Sequence, residues 1–318
     1  MLSRTANQLF WMARHIERAE NLARLLDAVL KMSLLPQSPH AAEQRWRDVP
    51  AQFGLHADFV SHHASGGAEQ VLDYMVFDPG NPFSIHGCVR KARENAHAAR
   101  SAMSAEMWET LNATWIHARE RRLAKTGLSG IGEYFDWIKT RSSLSRGVML
   151  GTLLRDDACH FIRLGTVLER ADNTARMLNM LLCARTAPGN DTLSEHDQWE
   201  TLLRSMSALE AYRRLAHGQV RPAYAADLLI RSENMPRSLA FCINGVTRNL
   251  ALLENQPAEK PRSHADRLRI ALRDLQTPPL FEAGLHTFLN LFIDLVHELS
   301  NDIAEAFLVS RAEPSHAG

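Results

Sequence analysis

The sequence predicts an all-α protein, a helical bundle built from two diverged, duplicated halves packed as one body. Three observations carry that expectation. Long apolar stripes recur at helical spacing, Gly and Pro signals interrupt helical rather than alternating patterns, and a set of internal matches keeps its order along the chain.

The elements follow in order. From Ser3 to about Ser33, apolar residues fall at Leu9, Met12, Ile16, Ala19, Ala23, Leu26 and Leu30, one stripe of a long helix that Pro36 and Pro39 end. Shorter helices are expected near 41–49 and 67–76. Asn81-Pro82 reads as N-cap and first helical residue of a helix reaching about Ala102, with Ile85, Val89, Ala92, Ala96 and Ala99 on one side. Helices near 104–124 and 130–150 follow. A second long helix spans about Arg155 to Arg185, with the stripe Phe161, Leu164, Leu168, Ala171, Ala175, Leu178 and Leu182, and Pro188-Gly189-Asn190 stops it. Further helices are expected near 194–214, 221–231, 236–255, 262–276 and 280–309.

The internal matches define the halves. Glu17-Arg18-Ala19-Glu20-Asn21-Leu22-Ala23-Arg24 reappears 152 positions later as Glu169-Arg170-Ala171-Asp172-Asn173-Thr174-Ala175-Arg176. Trp46 matches Trp199 at an offset of 153. Pro82-x-Ser84-Ile85-x-x-Cys88 matches Pro236-x-Ser238-Leu239-x-x-Cys242 at 154. An offset that grows by single residues in chain order is what small insertions produce. The halves run over about 1–150 and 151–318, and no flexible linker separates them, so a single domain over 1–318 is expected.

Composition narrows the functional classes. Lys plus Arg is 36 and Asp plus Glu is 36, so no basic excess points to nucleic acid or an anionic membrane. No stretch approaches the roughly 20 apolar residues that span a bilayer. The amphipathic start lacks the apolar run of a signal peptide. Cys88, Cys159, Cys183 and Cys242 match no zinc spacing and no disulfide framework, which suits a reducing cytoplasm. Histidines are scattered, His62-His63 in a Gly/Ser-rich loop is a poor metal site, and His160 reads as a core histidine. No nucleotide-binding glycine loop or hydrolase motif occurs, so no cofactor or metal is expected. Trp108, Trp115 and Trp137 read as core.

The repeated octapeptide carries the candidate site. On a helix turning roughly 100° per residue, Asn21, Arg24, Glu20 and Arg14 lie within about 60° of Glu17, opposite Met12, Ile16, Ala23 and Leu26. Glu169, Asp172, Asn173 and Arg176 make the same face in the second copy. Arg18 and Arg170 stand at the border between polar and apolar sides. Two readings are open. As a solvated face, such pairs contribute roughly 0.2–0.5 kcal/mol each. As an inward or cleft-facing site, the charges must neutralise one another, and Arg18 and Arg170 are placed to hold a carboxylate or phosphate through two hydrogen bonds.

These residues also carry a resemblance. Met1-Leu2-Ser3-Arg4-Thr5-Ala6 with the octapeptide, Phe77-Asp78-x-x-Asn81-Pro82-x-Ser84-Ile85, Ala92-Arg93-Glu94-Asn95-Ala96, Ser104-x-Glu106-Met107-Trp108-Glu109-x-Leu111-Asn112, Arg155-Asp156-x-Ala158-x-His160-Phe161-x-x-Leu164-Gly165, Pro236-Arg237-Ser238 and Ala283-Gly284-Leu285-His286 resemble the bacterial alpha-E family, named for its helical fold and an E-R motif. The resemblance covers essentially the whole chain. It implies a helical protein encoded or fused beside a circularly permuted ATP-grasp protein, often with a transglutaminase-like protein as a further neighbour. ATP-grasp enzymes activate a carboxylate as an acyl phosphate and join it to an amine. The implied role is therefore that of a helical partner in an amide- or peptide-ligase system, binding substrate or shaping the ligase complex. An enzyme in its own right, using the Glu/Arg/Asn clusters on an acyl or amine substrate, and a purely structural scaffold are the alternatives. One departure from the family pattern is Arg231-Ser232, where Phe77-Asp78 stands in the first half, and it predicts a difference between the halves at that loop.

Overall fold

The structure is a computed structural model and describes residues 1–63, 66–121, 123–186, 194–216, 218–253, 258–276 and 284–309. Among these residues all regular structure is helical. The helices are α1 (Ser3–Ser33), α2 (Pro39–Ala51), α3 (His56–His62), α4 (Ala68–Leu72), α5 (Ile85–Ala98), α6 (Ala105–Ala118), α7 (Leu123–Thr152), α8 (Asp157–Thr186), α9 (Glu195–Ser205), α10 (Leu209–Leu215), α11 (Pro222–Arg231), α12 (Leu239–Leu252), α13 (Glu259–Asp274) and α14 (Leu285–Ile303). One-turn π-helices at Asp73–Phe77 and Ala304–Leu308 extend α4 and α14.

The two long helices that the apolar stripes announce, α1 and α8, pack on each other at the centre. Around them α5 and α7 flank α1, while α12 and α14 flank α8. One continuous hydrophobic core runs through both groups. The close approach of α1 and α8 depends on Gly165, where a Cβ would stand 2.3 Å from the Phe10 carbonyl oxygen and 3.2 Å from the Ala13 Cβ. A side chain at 165 meets backbone there, so glycine sets the spacing one turn before the repeated octapeptides.

Matched positions show recurring local geometry. Ser84 and Ser238 are N-caps, accepting hydrogen bonds from the Gly87 and Phe241 amides at 3.0 Å each. Each hydroxyl also donates backward, Ser84 to the Asp78 carbonyl and Ser238 to that of Ser232. The loop backbone therefore recurs despite the Phe77-Asp78 to Arg231-Ser232 change. Trp46 and Trp199 are both buried. So are Cys88 and Cys242, whose thiols face the carbonyls of Pro82 and Pro236.

Several sequence expectations need correction. Asn81 is not the cap of α5. Its amide donates to the Tyr74 carbonyl and its Oδ1 accepts from the Phe83 amide, an Asx-type turn that delays the helix to Ile85. The single helix expected near 194–214 is two, α9 and α10, because the chain turns at Ser207 with φ of 53°. His62, expected with His63 in a loop, instead ends a helix, α3 (His56–His62). Trp108, Trp115 and Trp137 pack against the core but remain half-exposed. His160 is buried, its Nδ1 3.0 Å from Asn249 Oδ1. The stop at Pro188-Gly189-Asn190, residues 280–283 and the Cys183 side chain lie outside the described residues.

Candidate functional site

Helix α1 cannot bury its polar face on apolar neighbours, because an unpaired buried charge costs several kcal/mol. The fold supplies the missing charges from elsewhere. Glu17, Glu20 and Asn21 are 1%, 0% and 2% exposed, so this face is interior and the solvated reading fails. Glu169, Arg170, Asp172 and Asn173 on α8 are buried as well.

The pairing crosses between the two octapeptides. Arg170 donates from Nε and Nη2 to the two carboxylate oxygens of Glu17, at 2.8 and 3.0 Å. Reciprocally, Arg18 donates from Nε and Nη2 to those of Glu169, at 2.5 and 2.9 Å. Both are the two-pronged arginine–carboxylate geometry, and each arginine meets the glutamate of the other helix. The outer arginines behave alike. Arg24 bonds Glu20 on its own helix at 2.9 Å and the Ser205 carbonyl at 2.8 Å. Arg176 bonds Asp172 at 2.8 Å and the Gln52 carbonyl at 2.5 Å. Asn21 Oδ1 accepts from Arg237, while the amide nitrogens of Asn21 and Asn173 are buried without a hydrogen-bond partner among the described residues.

Residues outside the octapeptides complete the network, and of these the sequence had placed only Arg14 on the polar face. Arg146 of α7 and Arg237, just before α12, both reach Glu17 and Glu20. Arg14 donates to Glu169 at 2.8 Å and to Ser300 of α14 at 2.7 Å. His297 lies 3.0 Å from Asp172. The usable signal for Arg237 was its place within the matched Pro-x-Ser segments, where the first half has Phe83. Phe83 instead carries the Arg18 guanidinium on its ring face, 5.0 Å from the centroid.

The electrostatics follow from burial against pairing. Burial opposes charge on Glu20, but Arg237, Arg146 and Arg24 outweigh it and hold the carboxyl well below its usual range. Glu169 is likewise held down against burial by Arg18 and Arg14, and Asp172 by His297 and Arg176. Arg237 moves the other way. Burial, with Arg24 and Arg170 nearby, pushes it down to about 10 although Glu17 and Glu20 oppose the shift. Burial also pushes the thiols of Cys88 and Cys242 up to about 12, far from the range of a reactive thiolate.

A cleft opens on each side of the crossed pairs. One, of about 490 Å³, exposes edges of Arg24, Arg146, Arg170 and Arg237 and is closed by α10. The other, of about 640 Å³, is lined by Arg14, Arg18, Arg176 and His297 together with Trp11 and Phe83. The structure thus brings all nine sequence-named residues, Glu17, Arg18, Asn21, Arg24, Glu169, Arg170, Asp172, Asn173 and Arg176, into two linked clusters. Their carboxylates are committed to guanidinium groups, and the guanidinium edges face the clefts. Among the described residues no group of three His, Cys, Asp or Glu side chains is arranged to hold a metal ion, and no helix is long and apolar enough to cross a membrane.

No solved structure matches the chain. Uncharacterized proteins of Mycobacterium bovis and of two strains of Mycobacterium tuberculosis are each 23% identical to it over 97% of its length. The chain spans only 37% of the length of these relatives. The profile of Alpha-E, described as a predicted alpha-helical domain with a conserved ER motif, matches residues 1–308. With the Glu17-Arg18 and Glu169-Arg170 pairs at its centre, the chain belongs to the Alpha-E family.

Proposed function

We propose that this chain is a helical partner of an ATP-grasp-type amide ligase, binding the substrate to be coupled or shaping the ligase complex. One observation carries the reading. The carboxylates at the centre are each engaged by guanidinium groups, and cationic side chains, mostly arginine, outnumber carboxylates in the lining of both clefts, a surface suited to holding carboxylate or phosphate. Three of those carboxylates, on Glu20, Glu169 and Asp172, are held ionised, which suits neither a general acid nor a base poised near neutral pH. The ligase partner itself, and a transglutaminase-like protein beside it, come from the family resemblance. The recurring caps, thiols and crossed pairs support the further reading that residues 1–150 and 151–318 arose by duplication.

Reconstitution tests the proposal. The chain is combined with the ATP-grasp protein encoded beside it, and ATP-dependent amide formation is measured with and without it. Coupling that requires the chain is the expected result, with no micromolar ATP affinity in the chain alone. Coupling at the same rate without it defeats the partner role.

A further inference from the structure

We propose that the cleft closed by α10 is a binding site for a small dicarboxylate, two carboxylates joined by a short hydrocarbon arm. The inference takes up the binding half of the role proposed above and assigns its place and ligand class.

Charge stoichiometry is the first support. Arg24, Arg146, Arg170 and Arg237 converge on two carboxylates, Glu17 and Glu20. At the rim, Arg214 and Glu210 both line the cleft and add one charge of each sign. The cleft therefore carries two positive charges in excess, and a dianion cancels them.

Comparison of the matched halves is the second. Positions 237 and 146 correspond, at an offset of 154, to Phe83 and Ser300 in the other cleft. There, Arg14, Arg18 and Arg176 face Glu169 and Asp172, and Lys91 leans on Glu94 at 3.2 Å. The larger excess thus belongs to the α10 side.

Backbone strain is the third. Ser207 has φ of 53°, the left-handed region, and its hydroxyl accepts from Arg24 Nη1 at 3.0 Å at the cleft wall. The matched position 153 residues earlier is Gly54, with φ of 71°. A serine held where glycine is the unstrained choice places a hydroxyl in the cleft at a conformational cost.

Shape and chemistry select the ligand. A volume of about 490 Å³ suits a small molecule. Guanidinium edges line it together with Met206, Leu215, Leu228 and Met235. A hydrocarbon arm between two carboxylates meets both kinds of side chain, whereas inorganic phosphate leaves the apolar ones uncovered.

Titration calorimetry on the isolated full chain is the test, with glutarate, acetate and inorganic phosphate as probes. Glutarate is expected to bind one to one, and acetate at least about tenfold more weakly, since one charge-assisted pair is lost. Arg214→Ala should weaken glutarate about tenfold at unchanged melting temperature. Glu210→Gln should tighten it by removing a like charge. Arg269→Ala, a half-exposed arginine on α13 remote from the cleft lining, should change nothing. No glutarate binding, phosphate binding as tightly as glutarate, or equal weakening by Arg269→Ala each overturns the site. Because no ligase is present, glutarate binding that survives a failed reconstitution leaves this inference standing and the ligase partnership fallen. The reverse result separates them the other way.

Discussion

The guanidinium of Arg170 grips both carboxylate oxygens of Glu17, 153 positions away in sequence, at 2.8 and 3.0 Å. Arg18 and Glu169 repeat the grip in the opposite sense, at 2.5 and 2.9 Å. Each E-R pair is thus completed by the other copy rather than within its own helix. The two long helices are joined at their centre by charge as well as by apolar packing.

Removing a carboxylate from this network should cost more when it serves more arginines. Glu17 engages Arg170, Arg146 and Arg237, and Glu169 engages Arg14 and Arg18. Glu17→Gln is expected to destabilise by about 3–5 kcal/mol, the cost of stranding buried charge, and Glu169→Gln by less. Arg170→Ala should fall in the same range, since it strips Glu17 of its two-pronged partner. Urea unfolding of the variants gives the ranking, and losses below about 0.5 kcal/mol would refute a buried network.

Gly165→Ala places a Cβ against the Phe10 carbonyl, on a backbone that cannot step aside without moving α1. A loss of about 1–3 kcal/mol is expected from overpacking. The same variant should lower the melting temperature more than Gly147→Ala, where nothing lies within 4 Å of the new carbon.

His15 sets a distinct pH dependence. Burial, with Arg18 and Arg14 adding, lowers its basicity from 6.5 to about 4 despite Glu169. The folded ring stays neutral while the unfolded one protonates, so the unfolded state binds more protons between these values. Stability is therefore full above about pH 6.5 and declines toward pH 4, by up to about 3 kcal/mol. Glu20, Glu169 and Asp172, held below their ordinary range, contribute stability above that range and lose it only as pH falls further. In His15→Phe the decline between pH 6.5 and about 5 should disappear while the more acidic loss remains. An unchanged profile in denaturant titrations across pH would remove His15 from this role.

The caps of α5 and α12 should respond alike. Ser84→Ala and Ser238→Ala each remove a side-chain acceptor for a helix amide and a donor to the preceding loop. Each is expected to cost about 1–2 kcal/mol, and the double variant should approach the sum. Calorimetric melting of the three proteins checks this.

Local sequence was enough for the helices, since stripe spacing, Pro36 and the Ser caps act within a few residues. It was less reliable at Asn81 and Ser207. There a turn is chosen by side-chain hydrogen bonds or by a left-handed backbone that residue type does not announce. The octapeptides were legible as a repeated polar face, and their nine residues do come together.

The sequence by itself determined an all-helical chain of the Alpha-E family and the two places where its charges gather. Only the tertiary structure decided that those faces are buried and that each E-R pair closes on the other. It alone brought Arg146 and Arg237 to Glu17 across 129 and 220 positions. The reason is physical. A helical wheel fixes which side chains share a face, but a buried charge is stable only beside an opposite charge, and those partners come from distant helices that no local pattern names.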